Sequence, residues 1–334
     1  MPLSPGRRTR VLITGAAGYT GMALAAHLLT GGYGVRALVR RPAQGNELAH
    51  AGAEVVSGDI RDPNVLRTAL AGVDTVYHLA AVFRRAGVPE SEYRTVHVDA
   101  TRQLVECSAE AGVRRVVHCS TVGVHGDVQE GPATEDAPLR PGDIYQQTKL
   151  EGEQMAVATA ERVGVPLTVV RPGPIYGPGE RRFLKMIGGV ARRRFLLVGD
   201  GTPRLQMVYI DDLVEGIRLA GESPAAAGRT YILTGDQAPT LKQLVGEIAD
   251  IARVPAPRWH VPVWPVWLAG ALCEAACVPL RLEPPIFRRR VKFFTSNRWF
   301  DISRARAELG YSNRTPLRAG LAATLASYRR LGWL

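Results

Sequence analysis

The sequence is poor in cysteine and has no unbroken hydrophobic run long enough to cross a membrane. Its four cysteines lack the paired spacing typical of a zinc site; they are Cys107, Cys119, Cys273 and Cys277. The residues before position 11 are polar and basic, without the apolar segment of a signal peptide. We therefore expect a cytoplasmic protein with free thiols, no disulfide and no bound metal.

Concentrated charge is also absent, although the formal net charge of the 334 residues is +11. The arginines are scattered, and the short clusters at residues 192–194 and 288–290 have no interleaved aromatic side chains of the kind that line a nucleic-acid groove. We therefore expect no nucleic-acid partner. A solvated surface, or an anionic cofactor and substrate, explains the charge better, and attraction to anionic lipid stays open.

Short β-branched apolar segments alternate with segments of helical periodicity. The apolar segments cover residues 11–14, 35–39, 54–56, 74–79, 115–119 and 167–170. The helical segments include residues 22–29, 63–71, 101–111 and 145–163. This alternation predicts an α/β fold with a Rossmann-type doubly wound parallel sheet, in which each loop that follows a strand faces one ligand crevice.

Three glycines spaced three apart follow the first predicted strand, at Gly15, Gly18 and Gly21. Such a turn lets the backbone approach a pyrophosphate, while the helix that begins there directs its free N–H groups at the anion. Glycines also close ordinary turns, but here a second strand follows at the separation of a strand–helix–strand unit. We therefore predict a dinucleotide site, with Tyr19 and Thr20 inside the same turn.

An acidic residue is missing from the loop after the second predicted strand, which carries Arg40 and Arg41. A carboxylate about 20 residues past the glycines would hold the ribose 2′-hydroxyl of NAD. Guanidinium groups suit a 2′-phosphate instead. NADP(H) is therefore favoured, with Arg40 as the phosphate partner; NAD(H) and a pair of ordinary solvated arginines are the alternatives.

The loops after the third and fourth predicted strands complete the expected adenosine side of the site. They contain Asp59, Ile60, Leu79, Ala80 and Ala81. Small residues let the backbone lie close to the cofactor, and the Asp59 carboxylate can accept a hydrogen bond from the adenine amino group.

Two hydroxyl groups and a tyrosine–lysine pair supply the candidate chemistry. Ser120 and Thr121 follow the fifth predicted strand, and Tyr145 and Lys149 are four residues apart, on one face of a predicted helix. A phenol has a pKa of about 10, and a nearby ammonium favours its anion, so the pair can exchange a proton near neutral pH. Thr121 can then hydrogen-bond the substrate oxygen.

With these motifs the sequence resembles the extended short-chain dehydrogenase/reductase superfamily. The resemblance covers nearly the whole chain and includes RPGPIYGP at residues 171–178 and VYIDD at residues 208–212. It implies Tyr145 as general acid/base, Lys149 as its activator and ribose ligand, and Thr121 as partner of the substrate oxygen, with Ser120 beside it. It also implies a backbone that flanks the nicotinamide carboxamide, formed by Pro172, Gly173 and Ile175.

The sequence departs from the family pattern at three places, two of which limit the reactions that the protein can catalyse. A Val-Gly pair follows Thr121 where 4,6-dehydratases carry Asp-Glu, so we exclude that activity. Leu205 stands where nucleotide-sugar enzymes usually carry an arginine for the diphosphate, although Arg204 lies beside it. His97 replaces a structural asparagine, and a bridging hydrogen bond is a simpler role for it than a proton relay.

The second half of the chain is expected to bind the substrate. We assign residues 1–178 to the NAD(P)-binding domain, with 206–236 returning to it, and residues 179–205 and 237–334 to a smaller C-terminal lobe. A basic helix is predicted over residues 183–194. The lobe is apolar, with Trp259, Val261, Val263, Trp264, Val266, Trp267, Leu268, Leu272, Phe287, Phe293 and Phe294. A packed core, an apolar substrate cleft and a patch resting on a membrane all agree with this composition.

The C-terminal segment, residues 299–311, is similar to the closing helix of the superfamily and leans toward 3β-hydroxysteroid dehydrogenases and dihydroflavonol reductases. We predict an NAD(P)-dependent oxidoreductase that transfers a hydride between nicotinamide and a secondary alcohol or ketone carbon of a cyclic small-molecule substrate. The main alternative is a UDP-sugar 4-epimerase with tightly bound NAD, and a remote one is a non-catalytic NADP-binding sensor. The resemblance also implies a homodimer formed through residues 101–111 and 145–163.

Overall fold

The structure, a computed structural model, describes residues 8–83, 87–257, 260–277 and 288–334. Two members of the predicted apolar lobe, Trp259 and Phe287, lie outside these ranges, as do the side chains of the arginine cluster at 288–290.

Strands and helices alternate through the first two thirds of the described chain. The strands are β1 (Arg10–Thr14), β2 (Gly34–Val39), β3 (Glu54–Ser57), β4 (Thr75–His78), β5 (Arg115–Cys119), β6 (Leu167–Pro172), β7 (Ile175–Tyr176), β8 (Leu197–Val198), β9 (Val208–Tyr209), β10 (Thr230–Leu233) and β11 (His260–Val261). The α-helices are α1 (Tyr19–Thr30), α2 (Asn46–His50), α3 (Pro63–Leu70), α4 (Glu90–Arg94), α5 (Ala100–Glu110), α6 (Ile144–Val163), α7 (Leu184–Ala191), α8 (Ile210–Glu222), α9 (Leu241–Ala252), α10 (Val263–Cys277), α11 (Arg288–Thr295), α12 (Ser303–Leu309) and α13 (Leu317–Arg330).

The main sheet has seven parallel strands in the order β10-β6-β5-β4-β1-β2-β3. The chain moves outward from β1 through β2 to β3 and then returns to place β4 on the other side of β1. A crevice opens at the carboxyl ends of the strands where the order reverses, which is where open α/β sheets bind ligands. The predicted doubly wound parallel sheet is confirmed.

Neighbouring residues of β1 face opposite sides of the sheet, each side covered by helices. Val11 and Ile13 pack in one apolar core with Leu24 of α1, and Leu12 packs in a second core with Leu66 of α3. A strand buried on both faces reads as a continuous apolar run, which is why this segment could be recognised in the sequence.

The helix that carries the tyrosine–lysine pair has clear start and stop signals. The Asp143 carboxylate accepts a hydrogen bond from the Gln146 N–H at 2.9 Å, and Gly164 ends the helix with a left-handed φ of 73°. These caps place Tyr145 in the first turn of α6 and Lys149 one turn later.

The region after β7 adds small elements around the carboxyl edge of the sheet. Residues 206–236 contribute α8, which packs against α1, and β10, which joins the sheet beside β6. Helices α7, α9 and α13 pack together, and β8 pairs with β11. The predicted basic helix is shorter than expected: α7 ends at Ala191 because Arg193 has a left-handed φ of 57°, so the arginines at 192–194 lie in the turn that follows.

Helix α10 carries an apolar stripe on its surface. The side chains of Trp264, Trp267, Leu268 and Leu272 are 46–70% exposed. A packed lobe core is therefore wrong for these four residues, and none of them lines the cavities described below. Among the described residues, no helix combines the length and hydropathy needed to span a bilayer.

Candidate functional site

The glycine turn after β1 tolerates no side chain at two positions. Gly15 has a φ of 69°, and a Cβ there would lie 2.7 Å from the Ala80 nitrogen and 2.8 Å from the Leu79 carbonyl carbon. A Cβ on Gly21 would lie 2.7 Å from the Ala16 Cα and overlap the Gly15 carbonyl oxygen. The turn therefore folds tightly only with glycine at both positions.

A cavity of about 280 Å³ extends from this turn past the ends of β2, β3 and β4. We call it the cofactor cleft. Its lining includes the predicted residues Gly15, Gly18, Arg40, Asp59, Ile60, Leu79, Ala80 and Ala81. Gly18 precedes α1 and offers no side-chain cap, so the first-turn N–H groups remain available to an anion. This lining suits a dinucleotide, and the contact of its pyrophosphate with the turn stays a prediction.

Two arginines, Arg40 and Arg61, and two acids, Asp59 and Glu92, line the cofactor cleft. Arg40 is exposed there, whereas Arg61 donates from Nε to the Asp59 carboxylate at 2.9 Å. This hydrogen bond with Arg61 lowers the pKa of Asp59 from its ordinary value. Asp59 is thus tied to Arg61, which the sequence did not suggest, and its contact with adenine stays a prediction.

A second cavity of about 670 Å³ adjoins the cleft and shares Gly15, Gly18, Leu79 and Ala81 with it. We call it the catalytic cavity. Its lining includes the other predicted residues, which are Tyr19, Thr20, Gly21, Ser120, Thr121, Tyr145, Lys149, Pro172, Gly173 and Ile175. The structure therefore brings every predicted site residue to one of two adjoining cavities.

The two hydroxyl groups have different surroundings. The Thr121 oxygen accepts from the Gly123 N–H at 3.1 Å, which leaves its hydroxyl hydrogen available for donation. The Ser120 residue is 5% exposed, and its hydroxyl oxygen has no hydrogen-bond partner among the described residues. An unpaired buried hydroxyl on a cavity wall is favourable only where a ligand or water meets it.

A hydrogen bond to the backbone fixes the position of the Lys149 side chain. Its side chain is buried, and Nζ donates to the Cys119 carbonyl at 2.6 Å, which holds the amine at the end of β5. Burial lowers the pKa of Lys149, and Cys119 and Glu153 act against this shift. The Tyr145 ring stands edge-on to the rings of Phe83 and His97, with centroid distances of 5.1 and 5.7 Å.

His97 bridges two elements and does not relay protons. Its Nε2 accepts from the Val82 N–H at 2.9 Å, which assigns the ring hydrogen to Nδ1. Nδ1 then donates to the Thr148 hydroxyl at 2.9 Å, and that hydroxyl donates to the Ile144 carbonyl at 2.8 Å. Both ring nitrogens are used, so His97 takes the structural role expected for it.

Acid should destabilise the protein through its buried histidines. Burial lowers the pKa of His97 and of His78 to about 3, and an unfolded histidine titrates near about 6.5. Between these values the unfolded chain binds more protons, so the stability present above about pH 6.5 is lost as the pH falls toward 3, by up to about 1.4 kcal/mol per pH unit for each histidine.

Urea unfolding measured at pH 7 and pH 5 checks this dependence. His97→Asn keeps a donor and an acceptor but removes one titrating group, so the loss of stability should be smaller. The control His50→Asn alters an exposed histidine and should leave the loss unchanged. Equal acid sensitivity of wild type and His97→Asn would contradict the explanation.

The catalytic cavity also contains residues that the sequence did not identify as site residues. Glu180, Arg182 and Phe183 come from the segment after β7, and Phe293 and Arg298 come from α11 and the strand-like segment after it. Phe83 completes the wall beside Tyr145. Phe293 was expected only as an apolar lobe residue, and the two arginines carried no motif.

The arrangement therefore places the cofactor cleft along the sheet edge, next to a cavity that Thr121, Tyr145 and Lys149 line. A model of the NAD-dependent epimerase/dehydratase family matches residues 11–233, which include both the glycine turn and the tyrosine–lysine pair. The chain belongs to this family.

Several similar proteins align with almost the whole length of this epimerase/dehydratase family protein. Sterol demethylase protein B of Methylococcus capsulatus is 32% identical, over 97% of this chain and 99% of its own. The 2-alkyl-3-oxoalkanoate reductase of Stenotrophomonas maltophilia is 30% identical, over 95% and 99%. The UDP-glucuronic acid 4-epimerase of Bacillus cereus, solved with NAD, has 25% identity and a TM-score of 0.77, over 97% and 99%.

The family match and these relatives show that this protein is an enzyme of the extended short-chain dehydrogenase/reductase type. The match bears out the resemblance drawn from the motifs, including the lean toward steroid dehydrogenases, since a 3-beta-hydroxysteroid dehydrogenase of Mycolicibacterium neoaurum is also similar. NAD(P)-dependent oxidoreductase chemistry is supported, and epimerisation is the plausible alternative.

Proposed function

We propose that the protein interconverts a secondary alcohol and a ketone of a cyclic, largely apolar substrate with NADP(H). The observation that carries the proposal is the catalytic cavity, which gathers Thr121, Tyr145 and Lys149 beside an apolar wall. The bound nicotinamide supplies or accepts the hydride.

The protein groups handle the substrate oxygen. Tyr145 exchanges a proton with the substrate oxygen. The free hydroxyl hydrogen of Thr121 is donated to the same oxygen and fixes the position of that oxygen. Lys149, held by the Cys119 carbonyl, places its amine where it favours the phenolate and can hold the ribose. The roles of these residues rest on their placement at the cavity and on the family pattern.

The wall of the catalytic cavity favours an apolar ring over a nucleotide sugar. Leu205 is 3% exposed and lines the cavity at the position expected for a diphosphate arginine. Arg204 does not replace it, because its guanidinium donates to the Ala238 carbonyl at 2.8 Å and lies over the Trp299 ring. This weakens the UDP-sugar alternative.

Net redox turnover separates the two activities. We expect NADPH consumption or NADP⁺ reduction with cyclic secondary alcohols or ketones such as hydroxysteroids and oxosteroids, measured by nicotinamide absorbance. Protein that is purified with stoichiometric NAD and interconverts two UDP-sugars without net turnover would establish the epimerase instead. Turnover of any substrate excludes the non-catalytic sensor.

Arg40 supports NADP(H) over NAD(H), because it is exposed in the cofactor cleft where the family places the ribose. We expect Arg40→Ala to raise the KM for NADPH roughly tenfold, as charge-assisted hydrogen bonds are lost, and to leave the KM for NADH nearly unchanged. Arg41→Ala is the matched control, since Arg41 does not line the cleft. An equal effect of Arg40→Ala on the KM values for both cofactors would show that Arg40 does not determine the preference for NADP(H).

We also propose that residues 179–205 and 237–334 act as the substrate lobe, since they supply Arg182, Phe183, Phe293 and Arg298 to the catalytic cavity. We assign the contacts with the dinucleotide to residues 1–178. Exchange of the lobe segments between two relatives should therefore change the substrate and retain the cofactor preference.

The exposed stripe of α10 supports contact with an anionic membrane surface. Trp264 and Leu272 are 70% and 63% exposed, and the exposed arginines at 192–194 supply positive charge on the same lobe. Sedimentation with phosphatidylglycerol vesicles should depend on Trp264 and Leu272. Binding that survives their joint replacement by serine would exclude this contact.

Helices α5 and α6 support a homodimer through their outer faces. They pack side by side, and α6 presents Val157, which is 36% exposed. Sedimentation velocity should give twice the 36.2 kDa of the chain. A monomer at micromolar concentration would contradict the dimer.

A further inference from the structure

An arginine of the catalytic cavity lies close to the reacting groups without being needed for proton transfer. The Arg182 guanidinium carbon stands 5.5 Å from the centre of the Phe83 ring, and the same ring stands 5.1 Å from the Tyr145 ring. Arg182 and Tyr145 thus flank one phenylalanine. The Arg182 side chain is 36% exposed and lines the catalytic cavity.

Arg182 is held in place by Glu180, which is 4% exposed. One carboxylate oxygen of Glu180 accepts from the Arg182 backbone N–H at 2.8 Å, and the other accepts from Nη2 of the guanidinium. Within the described residues, Nε and Nη1 have no such acceptor. A guanidinium carries five N–H donors, so one carboxylate leaves donors for a second acceptor.

The rest of the cavity supports an acceptor that is negatively charged. Arg298 also lines the cavity, and Glu180 is the acid that the described part of the lining contains. The same lining includes Phe183, Phe293 and Leu205, whose side chains offer a ligand apolar contacts. A charge in such a place is favourable only when it is paired, and the free donors of Arg182 provide that pairing.

We propose that Arg182 binds a carboxylate carried by the apolar substrate, so that the enzyme prefers a hydroxy or oxo acid to its neutral analogue. This inference rests on the proposed oxidoreductase function and names its substrate class. Glu180 positions the guanidinium, and Arg182 selects the substrate without exchanging its proton. A nucleotide diphosphate is the competing anion, but the leucine and phenylalanine walls offer few polar contacts to a nucleotide.

Binding of two probes to the NADP⁺-loaded protein tests the proposal. Decanoate and decanamide have the same chain length and differ in charge. We expect wild type to bind decanoate about 10- to 100-fold more tightly in isothermal titration, the range of a hydrogen bond to a charged group. Arg182→Gln should abolish that preference and leave decanamide binding unchanged, and Arg182→Lys should retain part of it.

Arg181→Gln is the matched control, since Arg181 stacks on the Trp333 ring at 4.6 Å and does not line the cavity. It should keep the preference for decanoate. Equal binding of the two probes by wild type, or a preference that survives Arg182→Gln, would overturn the proposal. Tight binding of UDP that is lost in Arg182→Gln, with no preference for decanoate, would assign the arginine to a diphosphate.

The titration is independent of turnover. Tyr145→Phe should keep the preference for decanoate whether or not it abolishes catalysis. Failure of the oxidoreductase proposal and failure of the carboxylate proposal are therefore seen in different measurements.

Discussion

Tyr145→Phe is expected to lower kcat by about 10²- to 10⁴-fold, the range contributed by a positioned general acid or base. The variant keeps the ring, and therefore the edge-on contacts with Phe83 and His97, and loses only the hydroxyl. Cofactor affinity should change little, because the glycine turn and Arg40 are untouched. Steady-state turnover and quenching of tryptophan fluorescence by NADPH measure the two properties separately.

Tyr33→Phe is the control for this replacement. The Tyr33 hydroxyl donates to Glu222, and Tyr33 lies outside both cavities, so kcat should remain near that of wild type. Normal turnover by Tyr145→Phe would remove the tyrosine from the chemistry. A wild-type kcat that falls at acid pH and is restored at higher pH would fit its role as base in the oxidative direction.

The cofactor side of the site could be predicted because its residues share a topological origin. Many of them lie just beyond the carboxyl ends of strands that the apolar runs made visible. Parallel strands end on one edge of the sheet, so residues distant in sequence meet there. The examples are Gly15 after β1, Arg40 after β2, Asp59 after β3, Ala80 after β4 and Thr121 after β5.

The substrate side could not be predicted in the same way. Arg182 follows β7 in a loop with no periodicity, and Phe293 and Arg298 arrive from the far end of the chain. Their meeting depends on how the later helices pack on the sheet, and spacing in the sequence carries no record of that packing. The exposure of the stripe on α10 could not be predicted for the same reason. Apolar residues have the same helical spacing whether or not a neighbouring element covers that face of the helix.

The asparagine-to-histidine difference at position 97 shows a third limit. The sequence indicated a polar side chain that could bridge or relay. Only the hydrogen bonds from Val82 and to Thr148 fix the ring hydrogen and decide between these roles.

Gly21→Ala is expected to have the largest effect on cofactor binding. The added methyl group would overlap the Gly15 carbonyl oxygen and approach the Ala16 Cα, so the turn must open and carry the N-terminus of α1 with it. Overpacking of this kind costs about 1–3 kcal/mol of unfolding free energy. The dissociation constant for NADPH should rise by at least about tenfold, because the N–H groups of the first turn of α1, which we expect to face the pyrophosphate, are displaced.

Gly246→Ala makes this test specific, since both glycines are helical and only their surroundings differ. A Cβ on Gly246 of α9 meets nothing within 4 Å. Alanine should therefore stabilise the protein by about 0.5–1 kcal/mol through helix propensity and leave NADPH affinity unchanged. Urea unfolding and NADPH titration of both variants compare the two sites directly. If Gly21→Ala behaved like Gly246→Ala, the close approach of α1 to the turn would have no part in holding the dinucleotide, and the cofactor would depend on the loops after β2 to β4 alone.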